Sequence, residues 1–334
     1  MPEPFIIRPR EAAVTHPSAH TLLTDVDAAF EPIAEYCADA RVTDIFVNGA
    51  DGLFIDRGDG VERVLGWSAS EREVRDLAVS LIGAGGRHLD DQSPCVDVRL
   101  SSGIRVHAVL SPISTAGTAV SVRIPRVGAI DLDALAALGA FDMPQQAWLE
   151  RLVAQRANIL ITGGTGTGKT TLLAALLHAV PADERIITIE DVAELRPSHA
   201  HHVALEARQA NLEGAGSITL ARLVRESLRM RPDRLIVGEC RGEEVRELLS
   251  ALNTGHDGGA GTLHASGLTD VPARLEALGA LAGMDATALA RQAASAFTVV
   301  VHLARGTDGV RRLVSVGQFV LRADRLDIEE VKPW

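Results

Sequence analysis

The chain has 334 residues, 46% hydrophobic but only 3% aromatic, so its cores must be built mainly from Ala, Leu, Val and Ile. A formal net charge of −11 argues against broad electrostatic binding to nucleic acid, which needs a concentrated basic surface. Cys37, Cys95 and Cys240 are scattered and odd in number, without C-x-x-C or metal-ligand spacing, and read as reduced thiols of a cytosolic protein. The opening MPEPFIIRPR has no apolar core behind a positive end, and no run approaches the roughly 18 apolar residues of a membrane span. The expectation is a cytoplasmic chain with neither signal peptide nor direct membrane span, reaching a membrane only through partners.

Residues 1–24, with Pro2, Pro4, Pro9 and Pro17, read as an extended flexible arm. From about residue 25 to 38, Val26, Ala29, Phe30, Ile33 and Ala34 recur at helical spacing. Residues 44–49 read as a strand ending in a turn, and 53–57 with 61–64 as a hairpin around Gly58-Asp59-Gly60. Ser68-x-x-Glu71 matches a capping box opening a helix to about residue 82. Three strand-like runs follow, at 96–100, 104–110 and 119–124. Strands and helices interleave without a parallel βαβ rhythm, so residues 25–127 are expected to form a smaller α+β domain. Residues 128–145, rich in Ala and Leu, read as a linker with a short helix. Residues 146–334 alternate strand and helix as an α/β nucleotide domain does, with 186–189, 235–237 and 297–303 as the clearest strands. Residues 310–319 read as a terminal strand pair.

Within that half stands Gly163-Gly164-Thr165-Gly166-Thr167-Gly168-Lys169-Thr170, which meets G-x-x-x-x-G-K-[ST] at every fixed position. An apolar run (NILIT, 158–162) precedes it and strong helix formers (TLLAALLHAV, 171–180) follow. Glycines let the backbone curl so that N–H groups, from Gly163 to Thr171, face phosphate oxygens at the positive end of a helix. Lys169 is expected on the β- and γ-phosphates and the Thr170 hydroxyl on Mg²⁺, so the chain is expected to bind a nucleoside triphosphate.

Three further stretches carry chemistry that such a loop needs. Glu190 and Asp191 end an apolar strand, with Glu194 beyond; a carboxylate there orients water or holds Mg²⁺ through water, or is a solvated acidic turn. Glu239 closes the stretch Arg234-Leu235-Ile236-Val237-Gly238-Glu239, an apolar strand ending in one acid, the usual place of a second metal-site residue, here Glu rather than Asp. His256 and His264 lie in a glycine-rich loop, 253–265, as γ-phosphate sensors or as ordinary loop residues. No cysteines accompany them, so zinc is not expected.

The order of these stretches resembles the secretion and pilus-assembly traffic ATPases, the type II/type IV secretion superfamily of hexameric motors. RIITIEDVAEL (185–195) is similar to its aspartate box, RPDRLIVGECRG (231–242) to its Walker B region and LNTGHDGGAGTLHAS (252–266) to its histidine box. ARQANLEGAGSITLARLVRESLRMRPD (207–233) resembles the branch serving tight-adherence (Flp-type) pili and conjugation-type systems. TDIFVNG (43–49), SPCVDVRL (93–100) and VSVRIPR (120–126) carry the likeness into the first half. Ser266 stands where Asn commonly follows the family's His-Ala.

The resemblance implies a RecA-like P-loop domain preceded by a smaller α+β (PAS-like) domain, six copies forming a ring. It implies ATP/ADP and Mg²⁺ between the domains, and cleft motion passed to an inner-membrane platform protein of a pilus or secretion system. Glu190 would then polarise the attacking water, Glu239 would hold the Mg²⁺ shell or share that task, and His264 would report on the γ-phosphate with His256 supporting. Arg208 resembles the family arginine between the aspartate and Walker B boxes. Arg105 and Arg123 resemble N-domain arginines that close over phosphates, a task suited to a planar, permanently charged guanidinium. A DNA-handling motor and a non-catalytic nucleotide-dependent scaffold are the alternatives. The acidic balance and scarcity of stacking aromatics oppose the first, and intact Lys169, Thr170, Glu190 and Glu239 oppose the second.

Overall fold

The computed structural model describes residues 27–58, 60–100, 103–124, 130–208 and 216–334. The expected arm, the end of VSVRIPR and residues 209–215 lie outside them. The chain divides into two compact units, one up to residue 127 and one from residue 128.

The first unit begins with α1 (Asp27–Phe30) and α2 (Ala34–Ala38), separated by a 3₁₀ turn at Glu31–Ile33. The spacing predicts one helix here, but Pro32 lacks an N–H and interrupts the ladder. Phe30, Ile33 and Cys37 still bury one face. Then come β1 (Asp44–Asn48), β2 (Leu53–Asp56), β3 (Val61–Arg63), α3 (Glu71–Ala84), β4 (Cys95–Arg99), β5 (Arg105–Val109) and β6 (Ala119–Arg123). The six strands form one antiparallel sheet, in the order β3-β2-β1-β6-β5-β4. Alternate residues Ile45, Val47, Val106, Ala108, Val120 and Val122 bury in one core with Val74, Leu77, Ala78 and Leu81 of α3.

The capping box of α3 is Ser70 with Glu73, not Ser68 with Glu71: Glu73 N–H donates to Ser70 Oγ, and Ser70 N–H to Glu73 Oε2. Glu71 is engaged elsewhere, accepting the N–H and hydroxyl of Thr118 at 2.8 and 2.6 Å.

The second unit contains α4 (Leu132–Ala137), α5 (Met143–Ala154), β7 (Ile159–Gly163), α6 (Lys169–His178), β8 (Ile186–Glu190), β9 (His202–Glu206), α7 (Leu220–Ser227), β10 (Arg234–Val237), α8 (Glu244–Leu252), β11 (Ala260–His264), α9 (Val271–Leu281), α10 (Ala286–Ala296), β12 (Val299–Arg305), β13 (Arg311–Arg322) and β14 (Arg325–Val331). Its sheet runs β14-β13-β12-β7-β11-β10-β8-β9. The block from β12 to β9 is parallel, and β13 and β14 extend it antiparallel. The parallel strands therefore end along one edge, where ligands bind in open α/β sheets. Leu132, Leu135 and Phe141, from the stretch read as a linker, pack with Trp148 and Leu149 of α5 in the same core.

Two sequence readings change. Residues 253–265 read as a loop, yet Ala260–His264 is the central strand β11, parallel to β7. Gly259 just before it and Gly261 within it make room for α8: a Cβ at Gly259 would lie 2.4 Å from Leu252 Cδ2, and one at Gly261 3.3 Å from Leu248 Cδ2. Residues 310–319 belong largely to one strand, β13, flanked by β12 and β14; the β13–β14 hairpin turns at Ala323 and Asp324, both at positive φ. Asn158 pins the start of β7 on both sides. Its Nδ2 donates to Ala296 O at 2.8 Å, and its Oδ1 accepts from Gly259 N–H at 3.0 Å. Among the described residues, no helix is long and apolar enough to cross a membrane.

Candidate active site

The glycine loop connects β7 to α6, as its spacing requires. Gly163 lies at φ 151°, where a Cβ would meet Leu303 O at 2.4 Å, so this position demands glycine. Gly168 caps α6 in the left-handed region, and Thr167 is tied back by its hydroxyl donating to Gly164 O at 2.9 Å. Thr165 and Gly166 are exposed at the crown, and Thr170 and Thr171 are half-buried on the first turn of α6.

Lys169 is buried, and its Nζ donates to Gly163 O at 3.0 Å and Gly164 O at 2.8 Å. The same ammonium lies 3.3 Å from His264 Nδ1. An ammonium has no acceptor, so Nδ1 carries the lone pair and the ring proton sits on Nε2. That proton faces Glu239 Oε1 at 2.9 Å, and Glu239 Oε2 accepts from Arg241 Nη2 at 2.6 Å. A continuous polar chain thus runs Lys169–His264–Glu239–Arg241 across the ends of β7, β11 and β10.

The electrostatics agree with these roles. Burial pushes Lys169 below the ordinary lysine range, against the pull of Glu239. Burial, then the Lys169 charge, lower His264 below the ordinary imidazole range, keeping it neutral. For Glu239 burial acts to raise the carboxyl, but the Arg241 hydrogen bond and charge, with His264 and Lys169, outweigh it and hold it low. The backbone beneath Glu239 is pinned on both sides. Gly238 N–H donates to Ile189 O, Cys240 N–H to Thr262 O, and the Thr262 hydroxyl to Gly238 O.

Glu190 lies on the neighbouring strand but faces differently. It is buried, and its carboxylate accepts N–H groups of Glu194 and Leu195 at 3.1 to 3.2 Å. Gly238 leaves it room, since a Cβ there would lie 2.5 Å from Glu190 Cγ.

Within the second unit, the remaining candidates His256 and Arg208 are not gathered at the loop. His256 bonds Ala251 O at the end of α8, before β11 begins, so it sits at the opposite end of that strand from His264 and does not support it. Arg208 follows β9, the edge strand, about 19 Å from β7 by strand spacing. Its Nε donates to Gly216 O at 2.7 Å. Arg105 and Arg123 belong to the first unit, as direct cross-strand partners, and Arg99 on β4 is the partner of Arg105. Two further arginines touch the site without standing out in the sequence: Arg241, two residues beyond Glu239, and Arg311, whose Nε donates to Gly166 O and which only the pairing of distant elements reveals.

A strand, a glycine loop, a helix and an acid at the end of another strand of the same parallel sheet define a P-loop nucleotide-binding domain. The description "Type II/IV secretion system protein" matches residues 27–318, and the chain belongs to that family of ATPases. A Mycobacterium tuberculosis protein provisionally named for conjugal transfer is 50% identical, over 87% of this chain and 84% of its own. The conjugal transfer protein TrbB of Rhizobium radiobacter is 34% identical, over 74% of this chain and 75% of its own. The crystal structure of the pilus retraction motor PilT with bound ADP shares the fold, with a TM-score of 0.61 at 20% identity over 91% of this chain and 82% of its own.

Proposed function

We propose that this chain is a Mg²⁺-dependent ATP-driven motor subunit, acting as a ring of six on an inner-membrane platform protein of a secretion or conjugation-type system. Tight-adherence pilus assembly is the particular version favoured by the run 207–233. The observation that carries the reading is the chain Lys169–His264–Glu239–Arg241, which links the phosphate loop to the ends of two further strands.

The loop residues 163–171 bind the phosphates, with Lys169 exchanging its two carbonyl partners for phosphate oxygens. The Thr170 hydroxyl and the Glu239 carboxylate are hard oxygen donors, and no cluster of three His, Cys, Asp or Glu stands among the described residues. That donor set fits Mg²⁺, which is held by one or two protein oxygens together with phosphates and water, rather than an ion caged by protein. When bound, Mg²⁺ supplies charge neutralisation to the phosphates. Glu190 is the candidate for orienting water, once the backbone at residues 194–195 yields its carboxylate. His264 connects phosphate occupancy to Glu239, since any group that draws Lys169 away also frees Nδ1. Arg105 and Arg123 are proposed to add phosphate contacts during turnover, and Arg208 to act on a neighbouring copy.

The test is turnover of purified protein in Mg-ATP, together with solution mass by light scattering in ADP and in a non-hydrolysable ATP analogue. Lys169→Ala is expected to lose nearly all turnover, and the mass to reach that of six copies in one of the nucleotides. Wild-type turnover in Lys169→Ala would refute the loop assignment; a monomer in both nucleotides would refute a self-assembling ring.

A further inference from the structure

The phosphate loop is touched from a strand outside all of its motifs. Arg311 opens β13, opposite Arg305 of β12, and its side chain reaches back to the loop. Its Nε–H donates to Gly166 O at 2.8 Å. Its stem occupies the space over Gly168, where an added Cβ would lie 3.3 Å from Arg311 Cδ. Gly166 and Gly168 sit at φ 72° and 92°, so the arginine rests on both left-handed turning points of the crown.

Gly166 O and the Thr167 N–H belong to one trans peptide and point in opposite directions. A guanidinium on the carbonyl polarises that peptide and strengthens its N–H as a donor. It also brings a permanent positive charge to the crown of the phosphate loop. We propose that Arg311 is a positioning residue of the nucleotide site: it holds the crown through Gly166 O and sets affinity for the diphosphate part of the nucleotide. The inference rests on the loop serving a nucleotide. Because the arginine acts through the loop, its effect falls equally on ADP and on pyrophosphate.

The experiment titrates the full chain and its variants with a fluorescent ADP analogue, then displaces it with unlabelled ADP and with pyrophosphate. Arg311→Ala is expected to weaken both ligands alike by about ten-fold, the scale of one charge-assisted hydrogen bond. In turnover, KM for ATP rises to match while kcat stays within about two-fold, the pattern of lost uniform binding. Arg311→Lys, which restores the charge, recovers part of the affinity, and Arg311→Gln, which restores only a neutral donor, recovers less. Wild-type affinities in Arg311→Ala would overturn the proposal. So would a loss for ADP with pyrophosphate unchanged, which would put the arginine on the sugar or base. Should Arg311→Ala fail to fold, the Lys and Gln variants carry the same comparison. A wild-type chain that bound neither ligand would instead bring down the nucleotide-site reading, and this one with it.

Discussion

Glu190 and Glu239 end neighbouring strands, yet one caps a backbone turn and the other faces an imidazole and a guanidinium. Isosteric loss of charge should separate them. Glu239→Gln removes the oxygen charge proposed for the metal shell, so both kcat and the apparent affinity for Mg²⁺ should fall. Glu190→Gln should lower kcat by on the order of 100-fold with the Mg²⁺ requirement unchanged. Activity titrated against Mg²⁺ for each variant checks this; an unchanged Mg²⁺ requirement in Glu239→Gln would remove it from the metal. The glycine loop, Lys169 and both acids were legible because each is a local pattern of neighbouring residues. The proton on His264 was not, because it depends on an ammonium 95 residues away. Arg311 was less so still, since its partner is 145 residues distant and nothing about an arginine opening a strand marks it.

At the scale of elements, the register of β11 on β7 brings His264 to the phosphate loop, and α8 packs closely against the start of that strand. Gly259 immediately precedes β11, and a Cβ added there would lie 2.4 Å from Leu252 Cδ2 and 3.0 Å from Leu235 O. Gly259→Ala must displace the Leu252 side chain and crowd the Leu235 carbonyl, and overpacking of this kind costs about 1–3 kcal/mol. Urea denaturation should show that loss, and nucleotide affinity should fall with it; a variant as stable as the wild type would mean the helix yields freely. The same glycines misled the sequence reading. They read as a loop by composition, whereas they are the flat floor a closely packed helix requires. The capping box slipped by two residues for a comparable reason. Ser68-x-x-Glu71 and Ser70-x-x-Glu73 are equally good patterns, and only the partner Thr118, on a distant loop, takes Glu71 out of contention. The strand-rich layout of the first unit was readable throughout, because one-sided burial leaves period-two alternation in the sequence.

For the whole molecule, the clearest expectation concerns pH. His202, His264 and His302 are all held below the ordinary imidazole range, in each case chiefly by burial. The unfolded chain protonates them near pH 6.5, as free imidazoles do, while the folded chain resists. Over that window the unfolded state binds more protons, so stability decreases as pH falls below about 6.5. Asp308, held at about 2 chiefly by Arg312, and the lowered Asp39 and Glu239 act in the same direction, but only below about pH 4.5. Melting temperature should therefore drop between pH 7.5 and 5.5, and drop less in His302→Gln. A flat profile across that interval would contradict the neutral, buried histidines.

The strand order also has a consequence for synthesis. β7 carries the phosphate loop, but its two neighbours, β11 and β12, are encoded far downstream. At about 5–20 residues per second, a ribosome leaves this apolar strand without partners for several seconds. The nucleotide loop is consequently among the last features of its unit to form on the nascent chain. Until then NILIT stands without its sheet partners, and the chain cannot respond to ATP before β11 and β12 have been synthesised.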